Sequence, residues 1–111
     1  MVPSDAKVPV DIRGLFVSDK DVYLVGNSSD YYGNTATYWK NGLRVQLAPD
    51  NPYSSFGNAV YVSGSDVYVG GLMGDSGPAY WKNGVQVSLP GPNKYPGVTS
   101  LFVNGDDVYA T

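Results

Sequence analysis

The chain has 111 residues, a formal net charge of −3, and neither cysteine nor histidine. Disulfides, thiolate metal sites, cysteine nucleophiles and Ser-His-Asp arrangements are therefore excluded. All 10 acidic residues are Asp, and the chain contains 14 Gly, 8 Pro and 10 Tyr. This composition favours short strands joined by turns and predicts no helix longer than one or two turns.

Charge and hydropathy also limit the partners. The Lys and Arg residues form no basic stripe, so we expect no nucleic-acid partner. No apolar run reaches the roughly 20 residues of a membrane span, so we expect no membrane partner. We predict no cofactor and no metal. The first residues, Met1–Lys7, lack a signal-peptide core; localisation stays open, cytoplasmic if this N-terminus is native and secreted if a leader was removed.

In chain order, the first predicted element is an isolated strand at Val8–Ile12, where apolar and polar residues alternate. Three similar hairpins follow at 15–25, 60–69 and 101–110. Each consists of two strands, here named A and B, joined by a turn rich in Gly and Asp. Both faces of these strands are apolar, which predicts burial on both sides.

Two further strands, C and D, follow the first two hairpins. Strand C is Ala36–Lys40 and again Pro78–Lys82, and each copy leads into Asn-Gly and a strand D that resembles Val8–Ile12. Asn-Gly between strands favours a type I′ turn, in which both residues have positive φ. The chain is therefore predicted to contain repeats at about 14–58 and 59–99, with a partial third repeat at 100–111.

The repeated segments Asp-Val-Tyr-(Leu/Val)-(Val/Gly)-Gly and Tyr-Trp-Lys-Asn-Gly resemble the blades of bacterial β-propeller proteins over residues 13–111. The resemblance implies an all-β fold of four-stranded antiparallel meanders. Propellers have four to eight blades, whereas this chain holds about two and a half. We therefore expect self-association, with a homodimer favoured, in which Val8–Ile12 completes the last blade of a neighbouring copy. A small β-sandwich is the alternative fold.

A meander places the A–B and C–D turns at one end and the B–C and D–A loops at the other. The second set is long and aromatic, and loops on a rigid scaffold commonly bind ligands. We predict a non-enzymatic binding module whose Tyr-rich loop face meets a glycan or a protein. The candidate ligand-binding residues are Tyr31, Tyr32, Tyr53, Phe56, Tyr95, Asp30 and Asp75. The alternative for each aromatic residue is packing over the sheet ends.

Other chemistry is less well supported by the residues. A purely structural, ring-forming protein is one alternative function, and a hydrolase using Asp30, Asp50 or Asp75 is another. Trp39 and Trp81 occupy equivalent repeat positions, which favours packing over sugar stacking. The acidic turns at 19–21 and 106–107 offer too few oxygens for calcium, so turn formation explains them better.

Overall fold

The computed structural model describes residues 10–30, 33–48, 53–94 and 96–111. The fold is all-β, and these residues form no helix, as the composition predicts. The strands of sheet 1 are β1 (Val10–Ser18), β2 (Asp21–Asp30), β3 (Gly33–Lys40) and β4 (Leu43–Gln46). Those of sheet 2 are β5 (Ser55–Ser63), β6 (Asp66–Met73), β7 (Gly77–Lys82) and β8 (Val85–Ser88), and those of sheet 3 are β9 (Leu101–Asn104) and β10 (Asp107–Ala110).

Sheets 1 and 2 are four-stranded antiparallel meanders with strands in chain order, and sheet 3 is a hairpin. This confirms the predicted meander architecture. Strand A corresponds to β1, β5 and β9, strand B to β2, β6 and β10, strand C to β3 and β7, and strand D to β4 and β8. Strand β5 runs across the predicted repeat boundary between residues 58 and 59.

The prediction of an isolated strand D at Val8–Ile12 is wrong for the part that the structure describes. Residues 10–12 begin β1 and pair with 26–28 of β2. A β-bulge shifts the register between Ile12 and Gly14, so a break in the apolar pattern at Arg13 lies inside one continuous strand. The same bulge recurs in β5, between Gly57 and Ala59.

Each bulge brings one carbonyl close to a glycine on the neighbouring strand. A Cβ at Gly26 would lie 1.8 Å from the carbonyl oxygen of Asp11, and one at Gly71 would lie 1.7 Å from that of Phe56. Real Cβ atoms do not approach an oxygen so closely, so the bulge requires glycine on its partner strand. Gly26 and Gly71 are therefore part of the repeat geometry.

The Asn-Gly turns have the predicted conformation. φ is 52° at Asn41 and 87° at Gly42, and 50° and 85° at Asn83 and Gly84. These positive values at both turn residues are those of a type I′ turn.

Each turn asparagine also connects strand B to strand C. The Asn41 Oδ1 accepts from the Val22 N–H at 2.9 Å, its main-chain N–H donates to the Val22 carbonyl at 2.8 Å, and its Nδ2 donates to Asp21 Oδ1 at 2.9 Å. Asn83 makes the same three bonds, at the same distances, with Val67 and Asp66. We call this arrangement the asparagine bridge.

Every sheet has two different faces, which the strand register defines. The Trp face carries Leu15, Val17, Leu24 and Trp39 in sheet 1, Val60, Val62, Val69 and Trp81 in sheet 2, and Leu101, Val103, Val108 and Ala110 in sheet 3. The Tyr face carries Phe16, Tyr23, Val25 and Tyr38, then Tyr61, Tyr68, Gly70 and Tyr80, then Phe102 and Tyr109. Trp39 and Trp81 are buried, as the packing interpretation predicts.

The sheets stack with the Tyr face of one against the Trp face of the next. Tyr23, Val25 and Ala36 of sheet 1 share one buried cluster with Val60, Val62, Val69 and Trp81 of sheet 2. On the other side of sheet 2, a Cβ at Gly70 would lie 2.5 Å from Val98 and 3.1 Å from Leu101. The hairpin of sheet 3 thus packs closely over the Tyr face of sheet 2. The molecule is a directional stack of three similar units.

Candidate interaction surfaces

The loop end of the molecule holds part of the predicted binding face. Tyr53 is 54% exposed, Asp75 is exposed, and a Cβ at Gly74 would lie 3.4 Å from the Tyr53 Cβ. Asn93 Nδ2 donates to the Gly74 carbonyl at 2.8 Å. Connections from three successive parts of the chain therefore meet around Gly74, with Tyr53 next to the turn that carries Asp75.

The other predicted site residues divide into two groups. Phe56 lies in β5, half-buried, so its assignment to a loop is wrong. Asp30 is the last residue of β2 and pairs with Gly33, where a loop had been predicted. Tyr31, Tyr32 and Tyr95 lie outside the described residues, as does Asp50 of the hydrolase alternative.

The turn end contains the asparagine bridges and a shallow groove of about 460 Å³ between sheets 1 and 2. Burial raises the pKa of the Tyr38 phenol in this groove, Tyr23 adds to the rise, and Lys40 opposes it. The Tyr38 hydroxyl therefore stays protonated at neutral pH and is not activated as a nucleophile. Among the described residues, no cluster of three or more Asp, Glu, His or Cys side chains is suited to a metal ion.

One apolar surface lies on the Trp face of sheet 1. Leu15 is 62% exposed, whereas its equivalent in sheet 2, Val60, is 8% exposed. Val17 is 59% exposed, whereas its equivalents Val62 and Val103 are 6% and 5% exposed. The burial prediction for both faces of strand A is therefore wrong for β1. Leu24 and Trp39 on this face are buried, so the exposure is concentrated on the first strand.

A second apolar surface lies at the opposite end of the stack, on the Tyr face of sheet 3. Tyr109 is 56% exposed, whereas its equivalents Tyr23 and Tyr68 are 5% and 3% exposed. Phe102 is 55% exposed, and its equivalents Phe16 and Tyr61 are half-buried. The residues exposed at each end of the stack thus occupy positions that are covered inside it.

A third feature is a groove of about 660 Å³ between the Tyr face of sheet 2 and the hairpin of sheet 3. One wall is the outer part of sheet 2 and the segment that follows it, and the opposite wall is β10. The lining is mostly apolar and includes Pro78, Tyr80, Leu89, Pro90, Val108 and Ala110.

Comparison with known proteins gives a partial similarity. The chain is 32% identical over 66 residues to the polarized growth protein rax2 of Schizosaccharomyces pombe. The matched region covers 60% of this chain but 6% of that protein. No family model matches the chain, and no solved structure matches it. The chain spans a small part of the curated relative that it matches, so the similarity assigns neither a family nor an activity.

In the described ranges there is no helix long and apolar enough to cross a membrane. The sequence predicts the hairpin at 101–110 but neither the exposed pair Leu15 and Val17 nor the groove. Comparing equivalent positions of the three repeats would have predicted the exposed pair. Apolar residues at the first and last copies of a position lose the neighbour that covers the middle copy.

Proposed function

We propose that this protein is a non-enzymatic, self-associating interaction module, in which the two ends of the stack meet head to tail in a closed ring of the β-propeller type. The favoured assembly is a homodimer, with three sheets from each chain. The observation that carries this proposal is the exposure of apolar residues at the two ends, at positions that are buried in the middle of the stack.

The contact between sheets 1 and 2 within the chain serves as the template for the proposed contact between chains. Within the chain, Val62 of a Trp face and Tyr23 of a Tyr face belong to one buried cluster. Their exposed equivalents are Val17 at one end and Tyr109 at the other. Placing the Tyr face of sheet 3 on the exposed β1 side of the Trp face of sheet 1 in a second copy would repeat the part of that contact made by Val62; Leu24 and Trp39 are already buried. Full burial of an exposed Val side chain is worth about 1.5–3 kcal/mol, so Val17, which is 59% exposed, would contribute roughly half of that.

Aromatic contacts along the first strands support the same direction of growth. The ring centroids of Phe16 and Tyr61 are 4.9 Å apart, and those of Tyr61 and Phe102 are 5.4 Å apart. These three residues occupy one repeat position in β1, β5 and β9. Phe102 ends the row with one side exposed, and Phe16 of a second copy would continue it.

A head-to-tail contact joins two different surfaces, and it closes into a ring only if the rotation per chain divides the circle. The copies do not join through Val8–Ile12 in this assembly, because residues 10–12 already pair with β2. The joining surfaces are instead the exposed pair Leu15 and Val17 on β1 and the exposed pair Phe102 and Tyr109 on sheet 3. Binding of a glycan or a protein at the loop end stays a prediction, with Tyr53 and Asp75 as its described residues.

Light scattering after size-exclusion chromatography tests the proposal. We expect a mass of about twice the 11.9 kDa of one chain. Val17→Asp and Tyr109→Asp should each reduce the assembly to folded monomers, because each places a charge in one half of the interface. Leu43→Asp is the matched control, since Leu43 is 73% exposed and its repeat equivalent Val85 is 67% exposed. That variant should associate like the unmodified chain.

Mixing the two interface variants tests the head-to-tail geometry. The Val17→Asp chain keeps an intact Tyr face and the Tyr109→Asp chain an intact Trp face, so an equimolar mixture should form a heterodimer with one interface. An unmodified chain that is a folded, monodisperse monomer would contradict the proposal. Interface variants that associate like the Leu43→Asp control would do so as well.

A further inference from the structure

The groove beside β10 repeats, without its occupant, a site that is filled between sheets 1 and 2. Its wall residues Pro78, Tyr80, Leu89 and Pro90 lie 42 positions after Ala36, Tyr38, Leu47 and Ala48. Those four earlier residues surround or belong to the buried cluster that contains Trp81 of β7. The corresponding space over sheet 2 is the groove. The lining of the groove therefore corresponds to the residues that surround Trp81 in the contact between sheets 1 and 2.

The main chain at this groove is also prepared for a strand. In sheets 1 and 2, the N–H and carbonyl groups of Val22 and Val67 bind the turn asparagine that follows strand C. Val108 is the equivalent residue of β10, and in the register of its two-residue turn these groups point away from β9. In the part of the chain that the structure describes, no strand lies on that side of β10. Open strand edges of this kind accept an additional strand.

Side chains next to this edge complete the match. Asp21 and Asp66 accept a hydrogen bond from the Nδ2 of the bridging asparagine at 2.9 Å, and their equivalent Asp107 is exposed. The Lys40 Nζ lies 5.9 Å from the ring centroid of Tyr23, and the same pair recurs 5.8 Å apart in sheet 2. A lysine before the asparagine would meet Tyr109 and Asp107 in the same way, which adds charge complementarity.

We infer that the groove and the open edge of β10 bind an added β-hairpin of the Tyr-Trp-Lys-Asn-Gly type. The added strand pairs antiparallel with β10, its tryptophan fills the groove over Tyr80, and its asparagine forms a bridge with Asp107 and Val108. This site faces sheet 2, whereas the proposed ring interface uses the opposite face of the same hairpin. The two sites adjoin at Tyr109, whose ring the lysine of the bound hairpin would contact.

A peptide with the sequence of residues 77–88 is the probe, because it carries strand C, the Asn-Gly turn and strand D. Labelled with a fluorophore and titrated with the full chain, it should bind saturably by fluorescence anisotropy. Trp81→Ala in the peptide should weaken binding at least tenfold, because it removes the side chain that fills the groove. Asn83→Ala should weaken it less. Val85→Ala is the matched peptide control and should bind like the parent, since Val85 is 67% exposed in the folded chain.

The location of binding is tested on the protein. Val108→Pro removes the N–H that the bridge requires but leaves the β9–β10 pairing intact, because that N–H points away from β9. We expect this variant to lose peptide binding, whereas Asp106→Ala, a change in the exposed turn, should keep it. Amide chemical shifts measured with unmodified chain and peptide should change most at residues 108–111 and along the groove, and this readout does not depend on the folding of any variant.

Three results would overturn the inference. The first is no saturable binding up to millimolar peptide. The second is equal binding by the parent and Trp81→Ala peptides. The third is a set of shift changes confined to sheet 1 or to the turn end of the molecule.

Discussion

Replacing Asn83 by Ala should destabilise the protein by about 2.5 kcal/mol. The Oδ1···H–N bond to Val67 is part-buried and 2.9 Å long, and such a bond is worth about 1 kcal/mol. The Nδ2 bond to the Asp66 carboxylate is exposed, and we assign it about 0.5 kcal/mol. The remainder, about 1 kcal/mol, is the cost of holding Ala at positive φ, since φ of Asn83 is 50°. For a domain of this size, the loss corresponds to a decrease of about 10 °C in Tm.

Two further variants separate these contributions. Asn83→Gly removes both side-chain bonds but accepts positive φ, so it should cost about 1 kcal/mol less than Asn83→Ala. Asn41→Ala is an internal replicate, because Asn41 makes the same bonds at the same distances and has a φ of 52°. Its effect should equal that of Asn83→Ala within about 0.5 kcal/mol.

Urea unfolding followed by circular dichroism near 218 nm measures these free energies, with the slope of the transition as a check on two-state behaviour. Asn83→Ala and Asn83→Gly variants that are both as stable as the unmodified chain would contradict this prediction. In that case, the side-chain bonds of the asparagine bridge contribute nothing to holding strand C against strand B. A large effect at Asn83 with none at Asn41 would refute the equivalence of the two bridges.

Gly71→Ala should lower the free energy of unfolding by roughly 3 kcal/mol or more, because its Cβ would overlap the Phe56 carbonyl oxygen. Gly64 lies in open space at a φ of 61°, so Gly64→Ala should lower it by about 1 kcal/mol in the same urea assay. Val62→Ala should lower the unfolding free energy by about 2 kcal/mol, and Val17→Ala by less than about 0.5 kcal/mol when both are measured on dilute, monomeric protein; equal losses would contradict the assigned burial. Burial raises the pKa of Tyr38 in the folded state, so the unfolded chain loses this proton first as the pH rises above 10, and the folded state loses stability there. Tyr38→Phe should therefore make the alkaline decline in Tm less steep. Identical pH profiles of Tm would contradict this assignment.

The turns and hairpins were predictable because local chemistry determines them. Asn-Gly at 41–42 and 83–84 specifies positive φ at both residues, and the structure has it. The alternation of aromatic and β-branched residues located the A and B strands correctly in all three repeats. These features depend on interactions between residues that are close in the chain.

The extent of strand B was not predictable by the same reasoning. Asn27 and Ser28 lie beyond the predicted hairpin at 15–25, yet they are 3% and 1% exposed within β2. Asn27 Oδ1 accepts from the Gly57 N–H of the next sheet at 2.8 Å, and Ser28 Oγ lies 2.8 Å from Thr37 Oγ1. Buried polar groups are stable when they are paired in this way, and partners in another sheet leave no local pattern in the sequence. The sequence did not predict the bulges at Arg13 and Asn58 for the same reason, since a shift in register is defined only relative to the partner strand.

The candidate site was predictable in part. The loop end was recognised from composition, and Tyr53 lies beside the turn that carries Asp75 as a loop face requires. The groove beside β10 was missed because its walls come from three separated segments: strand C of sheet 2, the residues that follow sheet 2, and β10. Only the stacking of sheet 3 on sheet 2 brings those segments together.

The asparagine bridge also determines where the repeats tolerate insertions. Tyr23 and Tyr38 are 15 positions apart, whereas Tyr68 and Tyr80 are 12 apart, because β2 and β3 are each two residues longer than β6 and β7 and the connection between them is one residue shorter. The bond from Nδ2 to the strand B aspartate is nevertheless 2.9 Å in both sheets. The asparagine bridge at the turn end keeps strands B and C in the same register in both sheets. The difference in length is accommodated at the opposite end. New binding segments are therefore best grafted between strands B and C, where a change in length leaves the strand pairing near the turn end unchanged.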